Sequence, residues 1–227
     1  AQGVAIAEYV MAQVLALTQP ILRQRELQAA RRWEVTPFRE LSRTHWLILG
    51  WGPIGRAVAA RARAFEARVS EVRRSPEGTE GADRAGTLAD LPALLPEADV
   101  IVLACPLTEA TRGVVGPDFL AAVKPGAILV NVARGGLIAR EALLAALDAG
   151  RLSAAVLDVF ETEPPPAEDP LWSHPAVRVT AHTSFAGDGT EGRWEALFLE
   201  NAARLFRGEA LARRVAPADL GVTEAAR

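Results

Sequence analysis

Residues Leu47–Val58 read LILGWGPIGRAV: a short apolar run ends in the pattern G-x-G-x-x-G, and an alanine-rich helical pattern follows at once. In such a unit the first glycine allows a tight turn out of the strand, the second leaves room for a pyrophosphate, and the third lets the helix pack closely on the strand. The start of the helix offers unpaired N–H groups and a partial positive charge to phosphates. This placement predicts a dinucleotide-binding loop made of Gly50, Gly52, Pro53, Ile54 and Gly55.

The composition limits the classes of function that this chain can have. Its 227 residues are half hydrophobic, and the net charge is −3. There is no basic excess for nucleic acid and no basic amphipathic stretch for a membrane surface, so neither partner is expected. Residues 4–17 are apolar but contain Glu8 and Gln13 and follow no basic segment, which argues against a signal peptide. The single cysteine, Cys105, cannot form an internal disulfide, and we expect a reducing, cytoplasmic setting.

Strand and helix patterns alternate along the chain. Short apolar runs predict strands over 45–49, 69–73, 100–103, 127–132, 154–158 and 177–180. Helical patterns cover 4–30, 54–66, 87–95, 117–123, 140–149 and 190–207, and Pro20 should kink or break the first of them. Strands that are apolar on both sides belong to parallel sheets covered by helices on both faces. The sequence therefore predicts an α/β fold with a doubly wound parallel sheet of the Rossmann type.

Several further blocks occur in a fixed order. They are Pro106–Gly113 (PLTEATRG), Asn131–Ile138 (NVARGGLI), Leu157–Pro164 (LDVFETEP), and His174–Val177 (HPAV) leading to His182. From Gly50 onward the chain resembles the D-isomer-specific 2-hydroxyacid dehydrogenase family, and within it the glyoxylate/hydroxypyruvate reductase-like members. The resemblance implies an oxidoreductase that moves a hydride between a nicotinamide cofactor, NADP or NAD, and a small 2-hydroxy or 2-oxo acid.

The resemblance implies three catalytic residues. His182 matches the acid/base of the family, a role that suits a side chain titrating near neutral pH. Glu163 matches the carboxylate that orients this histidine and favours the imidazolium. Arg134 matches the guanidinium that binds the substrate carboxylate and polarises its carbonyl. All three follow predicted parallel strands, at the sheet edge where open α/β folds bind ligands. His45 and His174 have no such support, and we interpret them as a residue preceding the first strand and a turn residue.

The same matches imply cofactor contacts outside the glycine loop. The turn Pro106–Thr108 resembles the segment beside the ribose and pyrophosphate, and Asp158 resembles the acid that accepts a hydrogen bond from the carboxamide. The complete set of expected contacts outside the glycine loop and the second strand is Pro106, Leu107, Thr108, Thr111, Val132, Ala133, Asp158 and His182.

The end of the second strand departs from an NAD-preferring pattern. An acid is expected there to hold the ribose hydroxyls, but the sequence has Arg73, Arg74 and Ser75, and Glu71 lies too early. Two guanidiniums and a hydroxyl suit a 2′-phosphate, so we predict that NADP(H) is favoured over NAD(H). The alternative is that both arginines are solvated loop charges and that NAD binds.

The ends of the chain also bear on function. Residues 1–9 match the start of the family's linking helix, so the N-terminal substrate lobe is expected to be missing, either from an incomplete sequence or from a stand-alone domain. We assign 1–207 to a dinucleotide-binding domain that includes linking helix 4–30, and 208–227 to a return segment toward the absent lobe. We expect this chain alone to bind cofactor and to turn over poorly. The polar stretch 183–189 is expected to shape the substrate pocket.

Two alternatives stay open. A non-catalytic dinucleotide-binding or dimerisation module, as in the corepressor branch that resembles these enzymes, retains the same three residues. Chemistry similar to that of adenosylhomocysteine hydrolase shares the fold but lacks support from the Glu163 and His182 blocks. Relatives dimerise through this domain, and the apolar face of residues 4–17 is compatible with a homodimer.

Overall fold

A seven-stranded parallel sheet forms the centre of the protein in the computed structural model, which describes residues 2–74 and 81–214. The strand order is β3-β2-β1-β4-β5-β6-β7, so the chain reverses its direction of travel between β1 and β4. Ligands of such sheets bind beyond the carboxyl ends of the strands at this reversal. The strands are β1 (His45–Leu49), β2 (Arg68–Val72), β3 (Arg84–Gly86), β4 (Val100–Leu103), β5 (Ala127–Asn131), β6 (Leu152–Leu157) and β7 (Val177–Val179).

Seven α-helices accompany the sheet in the described part of the chain. They are α1 (Gly3–Thr18), α2 (Ile21–Ala29), α3 (Pro53–Ala64), α4 (Leu91–Leu94), α5 (Pro117–Ala122), α6 (Arg140–Asp148) and α7 (Thr190–Phe206). The predicted helix over 4–30 is broken around Pro20, as expected, and its two halves meet at 56°. Short 3-10 turns flank α4, and a capping box from Thr87 to Asp90 starts that segment.

The predicted Rossmann-type fold is confirmed, with two local corrections. Strand β3 was missed, because three residues that end in a glycine carry no apolar pattern. His45 does not precede the first strand but opens it. Its side chain is buried and lies 2.8 Å from the Ser70 hydroxyl on β2, and burial lowers its pKa.

Alternating side chains of β1 divide the core between the two faces of the sheet. Leu47 and Leu49 join the apolar cluster on one face, and Trp46 and Ile48 join the cluster on the other. Helix α1 belongs to the second cluster and packs against α3. The apolar face of residues 4–17 is therefore used inside the domain, and homodimerisation stays a prediction that needs another surface. Exposed apolar side chains nearby are Ile21, Leu22, Trp33, Val35 and Phe38.

The chain turns back on itself after α7. The backbone N–H of Ala212 donates to the side-chain oxygen of Asn201 at 2.7 Å. The rest of the predicted return segment, from residue 215 onward, lies outside the described residues. Within the described ranges no single helix has the length and apolarity to cross a membrane, and α1 and α2 meet that criterion only as a bent pair.

Candidate active site

The glycine loop joins β1 to α3 and leaves no space for side chains at two of its glycines. Gly50 has φ +106°, and a Cβ atom there would lie 2.6 Å from the carbonyl oxygen of Ala104. A Cβ atom at Gly55 would overlap the carbonyl oxygen of Gly50. The loop is also tied to the next strand, because the Gly50 N–H donates to the carbonyl of Val72 at 2.8 Å. Both glycines are thus required by the backbone itself.

Gly52 differs from its neighbours, because it faces open space. A Cβ atom there would meet no other atom within 4 Å. Gly52 is also the N-cap residue of α3, whose first turn receives no side-chain hydrogen bond from it. Unpaired N–H groups at a helix N-terminus beside an open cradle fit a pyrophosphate. The residues present therefore suit the dinucleotide that the sequence predicts.

The end of β2 brings a buried acid and two arginines together. The side chain of Glu71 is completely buried, and its carboxylate lies 3.3 Å from the guanidinium of Arg73. Burial raises the pKa of Glu71, while the positive charge of Arg73 lowers it. Arg74 is exposed next to this pair. Ser75, also predicted to contact the cofactor, lies outside the described residues.

The hydroxyl of Thr111 stabilises the turn that follows β4. The Thr111 side chain donates to the carbonyl of Pro106 at 2.7 Å and accepts the N–H of Thr108 at 2.8 Å. Thr111 is nearly buried, so it shapes the turn, while Thr108 and Leu107 are half-buried and Pro106 is exposed. Val132 and Ala133, predicted as further contacts, are buried after β5.

Cys105 lies in the same turn, and we predict that it reacts slowly. Loss of hydration raises the pKa of the Cys105 thiol to about 11. At pH 8 the thiolate fraction is then about one in a thousand, whereas an unperturbed thiol has about a quarter. We expect Ellman's reagent to modify the native chain about 100-fold more slowly than the urea-unfolded chain. The chain has one cysteine, so the signal has one source, and similar rates in both states contradict the prediction.

His182 and Glu163 form a direct pair. Nδ1 of His182 lies 2.8 Å from Oε2 of Glu163, and the other carboxylate oxygen accepts the N–H of Phe160 at 2.9 Å. Partial burial raises the pKa of Glu163, but the hydrogen bonds from His182 and Phe160 outweigh it and leave the pKa below its usual value. Since Glu163 occupies Nδ1, Nε2 is the ring nitrogen that can exchange a proton with a substrate.

Arg134 lies on the loop after β5, and its guanidinium donates to the carbonyl of Ala133 at 2.6 Å. Its positive charge contributes to the lowered pKa of Glu163. Asn131 fixes the loop from both sides, since its side chain donates to the Arg134 carbonyl at 2.9 Å and accepts the Ala133 N–H at 3.0 Å. The next residue, Gly135, lies so close to the backbone of Phe160 that a Cβ atom would overlap it. This contact joins the Arg134 loop to the Glu163 loop.

Asp158 lies directly below the histidine loop and is completely buried. Its carboxylate accepts the N–H groups of Thr183 and Ser184 and the hydroxyl of Thr180. Asp158 has no exposed surface in this structure, and the carboxamide contact expected for it stays a prediction. Thr180 and Asn131 were not singled out from the sequence, because their roles depend on contacts between separate loops.

The long loop 162–176 is anchored by an ion pair. Both guanidinium nitrogens Nε and Nη2 of Arg140 lie within 3.1 Å of the Asp169 carboxylate. Between this loop and the Gly135 turn lies a cavity of about 390 Å³, whose lining includes Phe160 and Asp169 and none of the three catalytic candidates.

The aromatic ring of Phe185 lies edge-on to the imidazole of His182, with 5.9 Å between the ring centroids. This contact places the 183–189 stretch beside the candidate acid/base.

Comparisons with known proteins agree with this fold. A family model described as D-isomer specific 2-hydroxyacid dehydrogenase, NAD binding domain, matches residues 11–184. Glyoxylate/hydroxypyruvate reductase A of Serratia proteamaculans is 34% identical over 77% of this chain and 56% of its own length. The chain thus spans little more than half of that curated relative.

Two solved structures are similar over nearly the whole chain. A D-isomer specific 2-hydroxyacid dehydrogenase from Xanthobacter autotrophicus Py2, in complex with NADPH and MES, is 32% identical with a TM-score of 0.82, covering 94% of this chain and 88% of that one. An NADPH-dependent glyoxylate/hydroxypyruvate reductase from Sinorhizobium meliloti, in complex with NADP and sulfate, is 28% identical with a TM-score of 0.84, covering 96% and 70%.

Proposed function

Because this chain belongs to the D-isomer specific 2-hydroxyacid dehydrogenase family and contains its NAD-binding domain, we propose that it serves an NADP(H)-dependent reductase of small 2-oxo acids such as glyoxylate or hydroxypyruvate. The observation that carries the proposal is the pairing of His182 with Glu163 beside Arg134. An acid/base, its orienting carboxylate and an anion-binding cation are the groups that reduction of a 2-oxo acid requires.

Each of the three residues has a distinct task in the proposed reaction. The nicotinamide, when bound, supplies the hydride that the carbonyl carbon accepts. Arg134 binds the substrate carboxylate and withdraws electron density from the neighbouring carbonyl. His182 donates the proton that the carbonyl oxygen gains, and takes it back in the oxidative direction. Glu163 fixes the orientation and the tautomer of the His182 ring.

Two assays of turnover test the reaction class. NADPH oxidation with glyoxylate or hydroxypyruvate is followed for the chain as given and for a longer version that carries a substrate-binding lobe. Turnover by the longer version supports the reductase. Cofactor binding without turnover in either version supports the non-catalytic dinucleotide-binding module instead.

The preference for NADP(H) rests on the arginines after β2. Arg73 is engaged by Glu71, and its replacement would leave a buried carboxylate without its charge partner. Arg74 is exposed and is the position that we choose for the test. We expect Arg74→Ala to weaken NADPH binding about tenfold, the cost of one charge-assisted hydrogen bond, and to leave NADH binding unchanged. Fluorescence titration measures both Kd values, and Arg43→Ala, on a distant exposed arginine, is the matched control. Equal losses for NADPH and NADH contradict the predicted preference.

A further inference from the structure

We infer that Asp158 is the positioning residue for His182, and that it is itself held by a partly buried hydrogen-bond chain that begins at Tyr9 on helix α1. The inference deepens the proposed function, since it explains how the proposed acid/base is held. It adds a role for Asp158 to the carboxamide contact that the sequence resemblance implies.

Asp158 binds the backbone on both sides of the histidine side chain. Its backbone carbonyl accepts the N–H of His182 at 2.9 Å. One carboxylate oxygen accepts the N–H of Thr183 at 2.9 Å, and the other accepts the N–H of Ser184 at 3.0 Å. Three consecutive N–H groups therefore converge on one buried residue. The two bonds to the carboxylate are charge-assisted, a class that includes the stronger hydrogen bonds in proteins.

The backbone at His182 needs such support. Its φ is +49°, in the left-handed region that residues other than glycine seldom adopt. A residue stays in this region when surrounding bonds fix it there. The bonds to Asp158 act on His182 and on the two residues that follow it. They thereby set the direction in which the imidazole leaves the backbone toward Glu163.

The hydroxyl of Thr180 extends the network to α1. Thr180 Oγ1 donates to Asp158 at 2.6 Å, and Tyr9 Oη lies 2.6 Å from the same hydroxyl. A threonine hydroxyl has one proton, which is given to the carboxylate, so Tyr9 must donate to Thr180. Bonds that run in one direction toward a charge strengthen one another. This order requires a neutral phenol, and burial raises the pKa of Tyr9 in agreement with it.

Helix α1 also contacts the histidine loop directly. A Cβ atom at Gly187 would lie 2.8 Å from Cβ of Ala5, so the loop after His182 lies against the helix. Tyr9 and Ala5 occur four residues apart and hence on one side of α1. The loop that carries His182 is thus supported by helix α1, which lies far from it in sequence.

Nuclear magnetic resonance of the full chain tests the inference without turnover. We expect Thr180→Val, which removes the hydroxyl at nearly constant volume, to raise amide hydrogen exchange at Thr183 and Ser184 about tenfold or more. The ring signals of His182 should shift while those of His45 and His174 stay in place. Tyr9→Phe should act in the same direction with a smaller effect, and Thr180→Ser should restore the native values.

Two further measurements make the outcome decisive. Thr44→Val makes the same change in a buried threonine just before β1, at the opposite edge of the sheet from the histidine loop, and should leave that loop unaffected. The NADPH Kd, from fluorescence titration, should stay within about twofold in Thr180→Val, because no cofactor contact is lost. A clearly weaker NADPH affinity in Asp158→Asn with unchanged loop exchange would show that Asp158 serves the cofactor rather than the histidine loop, and would overturn the inference. Because loop exchange needs no substrate, failure of the proposed reductase activity is seen separately.

Discussion

Gly55→Ala is expected to destabilise the domain and abolish dinucleotide binding. The added methyl group overlaps the carbonyl oxygen of Gly50, which is backbone and cannot rotate away. Helix α3 must then move off β1, at a cost of about 3 kcal/mol. For a domain of this size that corresponds to a Tm lowered by about 6–12 °C. Differential scanning fluorimetry measures the Tm, and fluorescence titration measures NADPH binding.

Gly52→Ala is the matched control, because the same change is made three residues earlier. Gly52 has φ −77° and ψ −169°, an extended conformation open to any residue, and a Cβ atom there meets no neighbour. We expect its Tm to stay within about 2 °C of the native value. NADPH binding should nevertheless weaken about 100-fold, because the methyl group occupies the space reserved for the pyrophosphate. A native NADPH Kd for Gly52→Ala contradicts the assignment of this loop as the phosphate site.

His182→Gln is expected to lower kcat for 2-oxo acid reduction by about 10²–10⁴-fold in a version of the protein that turns over. Glutamine keeps a polar side chain near Glu163 but cannot deliver a proton. Because His182 is only one of many predicted cofactor contacts, the NADPH Kd should rise by no more than about tenfold, the cost of one hydrogen bond. Steady-state kinetics with hydroxypyruvate separates kcat from KM.

His174→Gln is the control for this experiment. His174 lies on an outer turn, 3.3 Å from Asp148, and its replacement should leave kcat unchanged.

The pairing of His182 with Glu163 also makes the stability of the fold depend on pH. Because the folded pKa of Glu163 is lowered, the pair adds stability above the ordinary glutamate pKa and loses it as the pH falls through the folded value. With 38% of the Glu163 side chain exposed, this contribution is small.

For the kinetic experiment, a kcat of His182→Gln within about threefold of the native value would remove His182 from the proposed proton transfer.

Much of the fold could be predicted because its signals are local. The apolar run Leu47–Leu49 predicts a buried strand, and the three glycines predict the turn and the closely packed helix after it. Pro20 predicts a break in the helix over 4–30. Each of these depends on the backbone within a few residues, which sequence alone describes. The parallel, doubly wound sheet follows from the same alternation, since consecutive parallel strands need helical crossovers.

The parts that could not be predicted depend on distant contacts. Asn131 looks like the last residue of a strand, yet its amide fixes the Arg134 loop. Tyr9 looks like one more residue of an apolar helix, yet its hydroxyl reaches Thr180, 171 positions away. Asp158 was interpreted from its place in a motif as a cofactor contact, and the sequence did not reveal that it also accepts three consecutive backbone N–H groups of the histidine loop. Pattern analysis identifies chemical groups, while the fold decides which of them reach solvent.

The contact between Gly135 and Phe160 has a consequence for recombining this domain with those of relatives. The two loops touch backbone to backbone, so neither can be rebuilt without the other. A chimera with its crossover between residues 135 and 160 would combine halves that were shaped separately. Grafts intended to alter substrate selectivity should therefore transplant residues 131–138 and 157–164 as a single cassette.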